Sequence, residues 1–431
     1  MSVREYICLG LLCATISYGS TLSETIVLSE KNPSIQAAVQ QAKVYEKLHS
    51  AAQAGNYPSL DASYGATYLY EDPVMYFGGN SVQVQAKNLY TGAIKLTYPL
   101  FTGFAVSAQI DKSKLRMNRA FLESDDAKRN LYMGIVQVYT AAVSLKHLID
   151  SEQEAYVATQ KSYEKAKAFF DLGMNSSSEL YRIEADLNAI KAQQVQTSNS
   201  YKIALSQLSL MSKEEITEVE PLPLIKELSL EVLTEQALKN RPDLKALNLM
   251  VQEQQSQIDL AKSTQYPSVA LFAQVSHIGD GPDLNGDGYT NKDHSAAGFM
   301  INYNIFSGFQ TQSQIEAARE AKLSVELNLQ AYTDKVKTEI YESYLTYKSL
   351  LGALEAAKAH VKAQESYEKL VQGQFENQLA DADTLSRAIS SLAMSRASLI
   401  TINAKLYASF AKTLLEVDSE TFLNTIKKTK E

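Results

Sequence analysis

The sequence predicts an α+β membrane chain, in which long coiled-coil helices join four strands per chain that contribute to an oligomeric β-barrel, all written as an internal two-fold repeat. Three observations carry that expectation. Short motifs recur at a nearly fixed offset, two long stretches contain no proline, and the segments between them alternate apolar and polar residues.

The repeat is read first, because each later element is read twice. Asn32-Pro33-Ser34-Ile35 answers Arg241-Pro242-Asp243-Leu244, and Tyr57-Pro58-Ser59-Leu60 answers Tyr266-Pro267-Ser268-Val269, both offset by 209 positions (242 − 33 and 267 − 58). Tyr98-Pro99-Leu100-Phe101-Thr102-Gly103-Phe104 answers Tyr303-Asn304-Ile305-Phe306-Ser307-Gly308-Phe309 at an offset of 205 (303 − 98). The difference falls between the strands of a hairpin, where length changes are tolerated. Repeat one takes residues 20–220, with a helix, a β-hairpin at 57–99 and long helices over 104–212. Repeat two takes 221–431, with a helix, a β-hairpin at 266–306, long helices over 309–418 and a C-terminal tail. Pro221 and Pro223 mark the link.

All nine prolines lie outside 104–220 and 309–431, as helices that cannot lose a backbone donor require. In the first stretch Leu131, Ile135, Val138, Ala142, Leu145 and Ile149 alternate steps of four and three. After a miss at Glu152 the stripe resumes with Tyr156, Tyr163, Ala166 and Phe170, Thr159 being a milder miss. That period predicts left-handed supercoiled packing. Phe104 to Leu172 would extend about 100 Å as one helix, too long to bury itself, so it must pack beside other long helices.

The strands follow a period of two. Leu60, Ala62, Tyr64, Ala66, Tyr68 and Tyr70 share one face of the first, against Ser59, Asp61, Ser63, Gly65 and Thr67. The second sets Val82, Val84, Ala86, Tyr90, Ile94, Leu96 and Tyr98 against Gln83, Gln85, Lys87, Lys95 and Thr97. The third, 266–278, alternates less cleanly. The fourth sets Ala297, Phe299, Ile301, Tyr303 and Ile305 against Gly298, Asn302 and Asn304. A soluble sheet packed on a core shows the same alternation. Strand length and tyrosines at strand ends favour a membrane barrel with an aromatic girdle. Four strands cannot close a membrane barrel, so oligomerisation follows: two copies give eight strands with a filled interior, three give twelve with room for a lumen.

Composition narrows the function classes. A net charge of −8, with no basic patch interleaved with aromatics, argues against nucleic acid. No Gly-rich phosphate loop, Gly-x-Ser-x-Gly or cysteine–histidine pair supports an enzyme. Arg4, the apolar run Ile7–Ile16 and the small residues Ser17, Gly19 and Ser20 read as a signal peptide over 1–19, cleaved after Gly19. Lipidation at Cys13 is the rival reading, although Leu11 and Leu12 stand where a lipobox prefers small residues. Both cysteines, Cys8 and Cys13, precede that cleavage point. No cofactor is expected, with one exception. Asp283, Asn285 and Asp287, with Gly288 at the turn, resemble the start of a calcium loop, but position twelve is His294 rather than Glu. An ordinary polar hairpin tip is the other reading. His277 and His294 flank this loop and are placed to meet across the hairpin.

The duplicated strand-to-helix junctions (98–103 and 303–308), Arg241-Pro242-Asp243-Leu244 and the Tyr-Pro-Ser starts at 57 and 266 together resemble the TolC-type outer-membrane efflux family across nearly the whole chain past residue 20. The resemblance implies a homotrimer whose twelve-stranded barrel sits in outer-membrane lipid, continued by a helical tunnel across the periplasm. It implies export of small molecules or proteins with a periplasmic adaptor and an inner-membrane transporter. The rival from another class is an exported structural or adhesive coiled-coil protein without channel activity.

The resemblance also places a turn at the tip of each long helix, where an adaptor docks. Leu172-Gly173-Met174-Asn175-Ser176 fits the first, with Asn175 to Ser178 able to cap the returning helix. The second falls at Asn377-Gln378-Leu379, where the matching position is Gln378 rather than glycine and Asn377 is the residue expected to turn left-handed. Some members close the tip with acids early in the second returning helix. Those places fall here on Thr384 and Arg387, so the nearest acids, Asp381 and Asp383, with Glu179 in repeat one, become the gate and selectivity residues. Capping a helix N-terminus is the plainer role for the two aspartates.

Overall fold

A computed structural model describes residues 19–174 and 176–427. Residues 1–18, which include Cys8 and Cys13 and nearly all of the expected signal peptide, and the tip residue Asn175 lie outside the described residues. The described residues form two compact units, one within residues 1–38, 125–242 and 333–431, the other from 39–124 and 243–332. Each unit draws on both sequence repeats. A long helix cannot bury itself, so corresponding segments of the two halves supply one another's cores.

The second unit contains the sheet. Strands β1 (Ser59–Tyr68), β4 (Asn88–Phe101), β5 (Ser268–Gly279) and β6 (Asp293–Asn302) pair antiparallel in the order β1-β4-β5-β6. Between β1 and β4 a separate hairpin forms from β2 (Val74–Phe77) and β3 (Asn80–Gln83). This corrects the expected second strand: Val82 belongs to β3, and Val84 and Ala86 lie in the return to β4. The reason is local. Gly78 and Gly79 both take positive φ (+56° and +88°), which closes a tight two-residue turn and pairs Val74–Phe77 with its immediate neighbours.

Helices α2 (Pro33–Gln53) and α6 (Pro242–Lys262) lead into β1 and β5, each with proline at its first position, where no helical donor is lost. The strands leave through matched junctions into α3 (Ala105–Asp171) and α7 (Gln310–Glu376), both 67 residues long. At each junction a glycine and a phenylalanine take left-handed backbone: Gly103 and Phe104 at φ +63° and +70°, Gly308 and Phe309 at +63° and +65°. A Cβ on Gly103 would lie 2.5 Å from the Ser263 carbonyl oxygen, so glycine is required there on space as well as on φ. Phe104 sets its ring edge-on to Phe101 and Tyr266, 5.1 and 5.5 Å between centroids. Phe309 does the same with Phe306. Edge-on contact between these rings offsets part of the cost of a bulky residue at positive φ, with Phe104 and Phe309 still exposed.

The first unit contains α1 (Leu22–Ser29), the later part of α3, α4 (Ser177–Ser212), α5 (Leu230–Asn240), the later part of α7, α8 (Ala382–Leu415) and α9 (Ser419–Lys427). Its core shifts the predicted α3 stripe. Ile135, Ala142 and Ala166 are buried as expected, but Tyr132 and Tyr139 lie deeper than Leu131 and Val138. Thr159 is buried rather than a miss, and Phe170 points outward while Phe169 packs inward. Tyr139 is fully buried, its single hydroxyl proton shared between the carbonyls of Ser20 (2.8 Å) and Glu220 (3.0 Å) while its oxygen accepts from the Glu220 amide (3.1 Å), tying the start of the described chain to the inter-repeat link.

Arg241 and Arg129 are buried beside Glu416. Arg241 reaches the Glu416 carboxylate at 2.9 Å and Glu339 at 3.0 Å, and Arg129 reaches Glu416 at 3.5 Å and Asp126 at 2.7 Å. Burial pushes the Glu416 carboxyl up, and Arg241 and Arg129 offset only part of that rise. Removing one partner from such a cluster costs about 3–5 kcal/mol. Arg241→Ala should therefore lower the melting temperature of the purified protein by several degrees, while Arg119→Ala, on the other unit and less buried, should change it less. Equal melting temperatures for the two variants would reject the buried cluster as an anchor.

Candidate functional site

Two features can act on something outside the chain: the faces of the sheet and the turns at the ends of α3 and α7.

Register sorts the sheet into two faces. Leu60, Leu96, Ala273 and Ala297 form one cross-strand row, and Tyr98, Leu271 and Phe299 the next. The opposite face carries Asp61, Lys95 and Gln274 in one row and Ser59, Thr97 and Phe272 in another. On β4 the apolar side chains Ile94, Leu96, Tyr98 and Leu100 are exposed, whereas Lys95, Thr97, Pro99 and Phe101 are half-buried. Leu60 and Phe299 are 70% and 68% exposed. A sheet in water turns its apolar face inward. This one turns it outward over several strands, the arrangement of a surface solvated by hydrocarbon. Among the described residues no helix is long and apolar enough to cross a membrane.

The helical turns lie in the first unit and share one geometry. The Gly173 amide donates to the Phe170 carbonyl and the Met174 amide to Phe169, both at 2.8 Å. The Gln378 amide donates to Phe375 at 3.0 Å and the Leu379 amide to Gln374 at 2.8 Å. Both are paired reverse bonds that satisfy the last helical carbonyls. Gln378, at φ +59°, takes the left-handed position that Gly173 takes at +77°. This corrects the expectation for Asn377, which sits one residue too early. Asn377 instead donates its side-chain amide to the Gly373 carbonyl at 2.7 Å.

Beneath the turns Ala166, Ile183, Val371, Phe375, Leu385 and Ile389 form a buried cluster, with Phe169 and Phe375 rings 6.0 Å apart. Leu172 and Leu379 are exposed, 72% and 79%, as are Met174 and Ser176. Ser176 stands at the N-cap of α4, but its hydroxyl meets Ser178 at 2.7 Å instead of capping the backbone. Glu179 lies half-buried in the first turn of α4.

Asp381 caps α8. Its Oδ1 accepts from the Thr384 amide at 2.8 Å, and hydrogen bonds from Thr384 hold its carboxyl below the ordinary aspartate value. Asp383 is clasped by two arginines, Arg182 of α4 and Arg387 one turn later on α8, the latter at 2.7 Å. The Asp383–Arg387 pair was legible as an acid four residues before a base. The pairs that join the two repeats were not. Near the turns they include Arg182–Asp383, Lys165–Glu376 at 2.6 Å, and Ser386 donating to Asp186. Each partner alone looks like any solvated helix charge, and no periodic signal connects residues some 200 positions apart.

In the 280–292 loop Asp283 and Asn285 are exposed, but Asp287 is buried. Its Oδ1 accepts from the amides of Tyr289 (3.0 Å) and Thr290 (2.8 Å) and from the Thr290 hydroxyl (3.1 Å). Burial alone would raise its pKa, yet these bonds outweigh it and lower the pKa. Asp287 thus serves its own turn. Among the described residues no group of three His, Cys, Asp or Glu side chains is placed to hold a metal ion. His277 meets Asp293, its cross-strand partner, rather than His294.

An apolar-outward antiparallel sheet joined to paired long helices defines a subunit of an outer-membrane export channel. The chain belongs to the outer membrane efflux protein family, whose family model matches residues 27–212 and 233–412, one match in each repeat. It is 20% identical over 355 residues to the alkaline protease secretion protein AprF of Pseudomonas aeruginosa, covering 79% of this chain and 72% of that one. It is also 20% identical over 370 residues to the outer membrane efflux protein BepC of Brucella suis, covering 82% and 75%. The fold matches the outer membrane protein VceC of Vibrio cholerae with a TM-score of 0.77 at 17% identity, covering 91% of this chain and 95% of that one. The Campylobacter jejuni CmeC outer membrane channel matches with a TM-score of 0.78 at 15% identity, covering 95% and 89%. Members of this family are channels rather than enzymes.

The cap at Asp381 gives a test with a worked sign. A lowered folded pKa means that its contribution is complete above the unfolded aspartate value and is lost as pH falls through the lowered one. At neutral pH, Asp381→Ala should destabilise the first turn of α8 by about 1 kcal/mol, whereas Asp381→Asn keeps an acceptor and costs a few tenths at most. Hydrogen exchange at the first α8 amides checks this. Equal protection in Asp381→Ala and the parent would remove the capping role.

Proposed function

We propose that three copies of this chain close a twelve-stranded barrel and open a continuous export path on engagement by a periplasmic adaptor and an inner-membrane transporter. The observation that carries the reading is the pair of free sheet edges. β1 and β6 each have one unpaired side, and unpaired backbone groups in hydrocarbon cost several kcal/mol apiece. Four alternating strands leave β1 and β6 running in opposite directions, so β6 of one copy meets β1 of the next antiparallel. Eight strands fill their own interior, whereas twelve leave a lumen, which a conduit requires.

Threefold symmetry brings three copies of each turn together. Arg182–Asp383, Lys165–Glu376 and Ser386–Asp186 fasten the α3–α4 pair to the α7–α8 pair, and we take that fastened state as the resting one. With two arginines on it, Asp383 acts as a clasp rather than as a fixed negative charge filtering cations. The exposed side chains of Leu172, Met174 and Leu379, beside Gly173, Ser176, Asn377 and Gln378, offer an adaptor an apolar landing surface. An adaptor that binds them more tightly in the unfastened arrangement shifts the turns open.

Planar-bilayer recording tests the clasp. Asp383→Ala should raise single-channel conductance several-fold, and Arg182→Ala should do the same. Asp381→Asn should leave it near the parent value. Unchanged conductance in both clasp variants would reject the assignment.

A further inference from the structure

The β2–β3 hairpin has no role in the channel as described, and its chemistry is unusual for a solvated loop. From Pro73 to Ala86 it carries no charged side chain, in a chain that is 21% charged. Met75, Tyr76 and Phe77 are all exposed, Tyr76 at 73%. The hairpin is nonetheless well built. Four cross-strand pairs run from Val74–Gln83 to Phe77–Asn80, closed by Gly78–Gly79, and the Val84 amide donates to the Pro73 carbonyl at 2.9 Å. Regular structure with bare aromatics at its tip is suited to covering a surface, since a loop needed only as a connection gains nothing from such residues.

Continuity indicates which surface. The apolar row of β1 ends at Tyr68, whose ring packs edge-on against Tyr70, 6.4 Å between centroids, and Tyr70 is 93% exposed. The outward face of the sheet thus runs on, without a charged interruption in the row, toward Glu71 and Asp72 and then the hairpin. The charges confined to that neck, Glu71, Asp72 and Lys87, with Lys87 lying 3.8 Å from Asp72, mark a polar band between two apolar segments. Tyrosine and phenylalanine at the tip, next to Asn80 and Ser81, are the residue types that settle at a lipid–water boundary.

We propose that the β2–β3 hairpin folds back onto the outer surface of the membrane that holds the sheet and inserts Met75, Phe77 and Val82, which share one face, shallowly into lipid, as a second anchor beyond the barrel wall. This rests on the sheet being embedded in lipid, as argued above. It differs from a hairpin that meets its own copies across the mouth of the channel and from one that stands in water.

The chain contains no tryptophan, so a single substitution gives a clean optical probe. Phe77→Trp in the full-length protein is reconstituted into phosphatidylcholine vesicles with and without dibrominated acyl chains. Met75→Trp, on the same face of β2, serves as a second probe should the first disturb the turn, and Phe299→Trp, on the outward face of β6, reports the embedded sheet. The expected result is blue-shifted emission from the hairpin probe with a clear loss of intensity in brominated vesicles. Blue-shifted emission that brominated lipid leaves unchanged would overturn the proposal in favour of contact between copies. Red emission open to acrylamide would overturn it in favour of a solvated loop. Loss of quenching at Phe299→Trp as well would show that the sheet itself is not in lipid, which is failure of the underlying reading and not of the hairpin alone.

Discussion

Each residue of a β-strand has one backbone donor and one acceptor, directed to alternate sides along the chain, and in water the groups on an unpaired side are satisfied by solvent. The sheet of this chain forgoes that option. Its outer face carries Leu60, Tyr98, Leu271, Val275 and Phe299 into the surroundings, so those surroundings are apolar and offer nothing to the free edges of β1 and β6. The proposed closure by other copies of the chain answers that one condition, and the opposite directions of β1 and β6 permit it. The division of labour between faces answers it as well, with Asp61, Lys95 and Gln274 gathered on the inner side.

The helices answer a different constraint. At 67 residues each, α3 and α7 have no way to bury one stripe within a single globular core. The chain solves this by duplication, in which each half supplies the other with a packing partner. Shared details show how closely the halves correspond: the left-handed Gly–Phe pair at both strand-to-helix junctions, and the same reverse bonding at both turns. Where the halves differ, the difference is local. Gln378 stands in a conformation that glycine adopts at no cost in the first repeat, and the polar clasp of Arg182 and Asp383 joins residues that have no counterpart relationship.

Much of the architecture was legible because it is periodic. Proline placement bounded the long helices, alternation exposed the strands, and the duplicated motifs fixed the repeat. Errors arose where a local interaction overrode the period. Val82, Val84 and Ala86 alternate as a strand should, but the Gly78–Gly79 turn claimed the chain first. Phe170 kept the heptad while Phe169 took the core, and Thr159 is buried despite its hydroxyl. Glycine marks the turn in one repeat and only the repeat spacing marks it in the other, where the left-handed residue is Gln378 although asparagine, the commoner choice, stands one place before it. The buried cluster of Arg129, Arg241 and Glu416 leaves no trace in the sequence, since arginine carries no mark of burial there, although the Arg241 motif recurs between the repeats.

The central claim is that the sheet is incomplete in one chain and is completed by copies of itself in an outer membrane. The native mass of the protein extracted from that membrane in mild detergent tests it most directly. The expected result is that the chain fractionates with the outer membrane and that the extracted species has three times the mass of one chain. A soluble monomer would mean that both free edges and the apolar face are satisfied without lipid or partners, and the account would be contradicted.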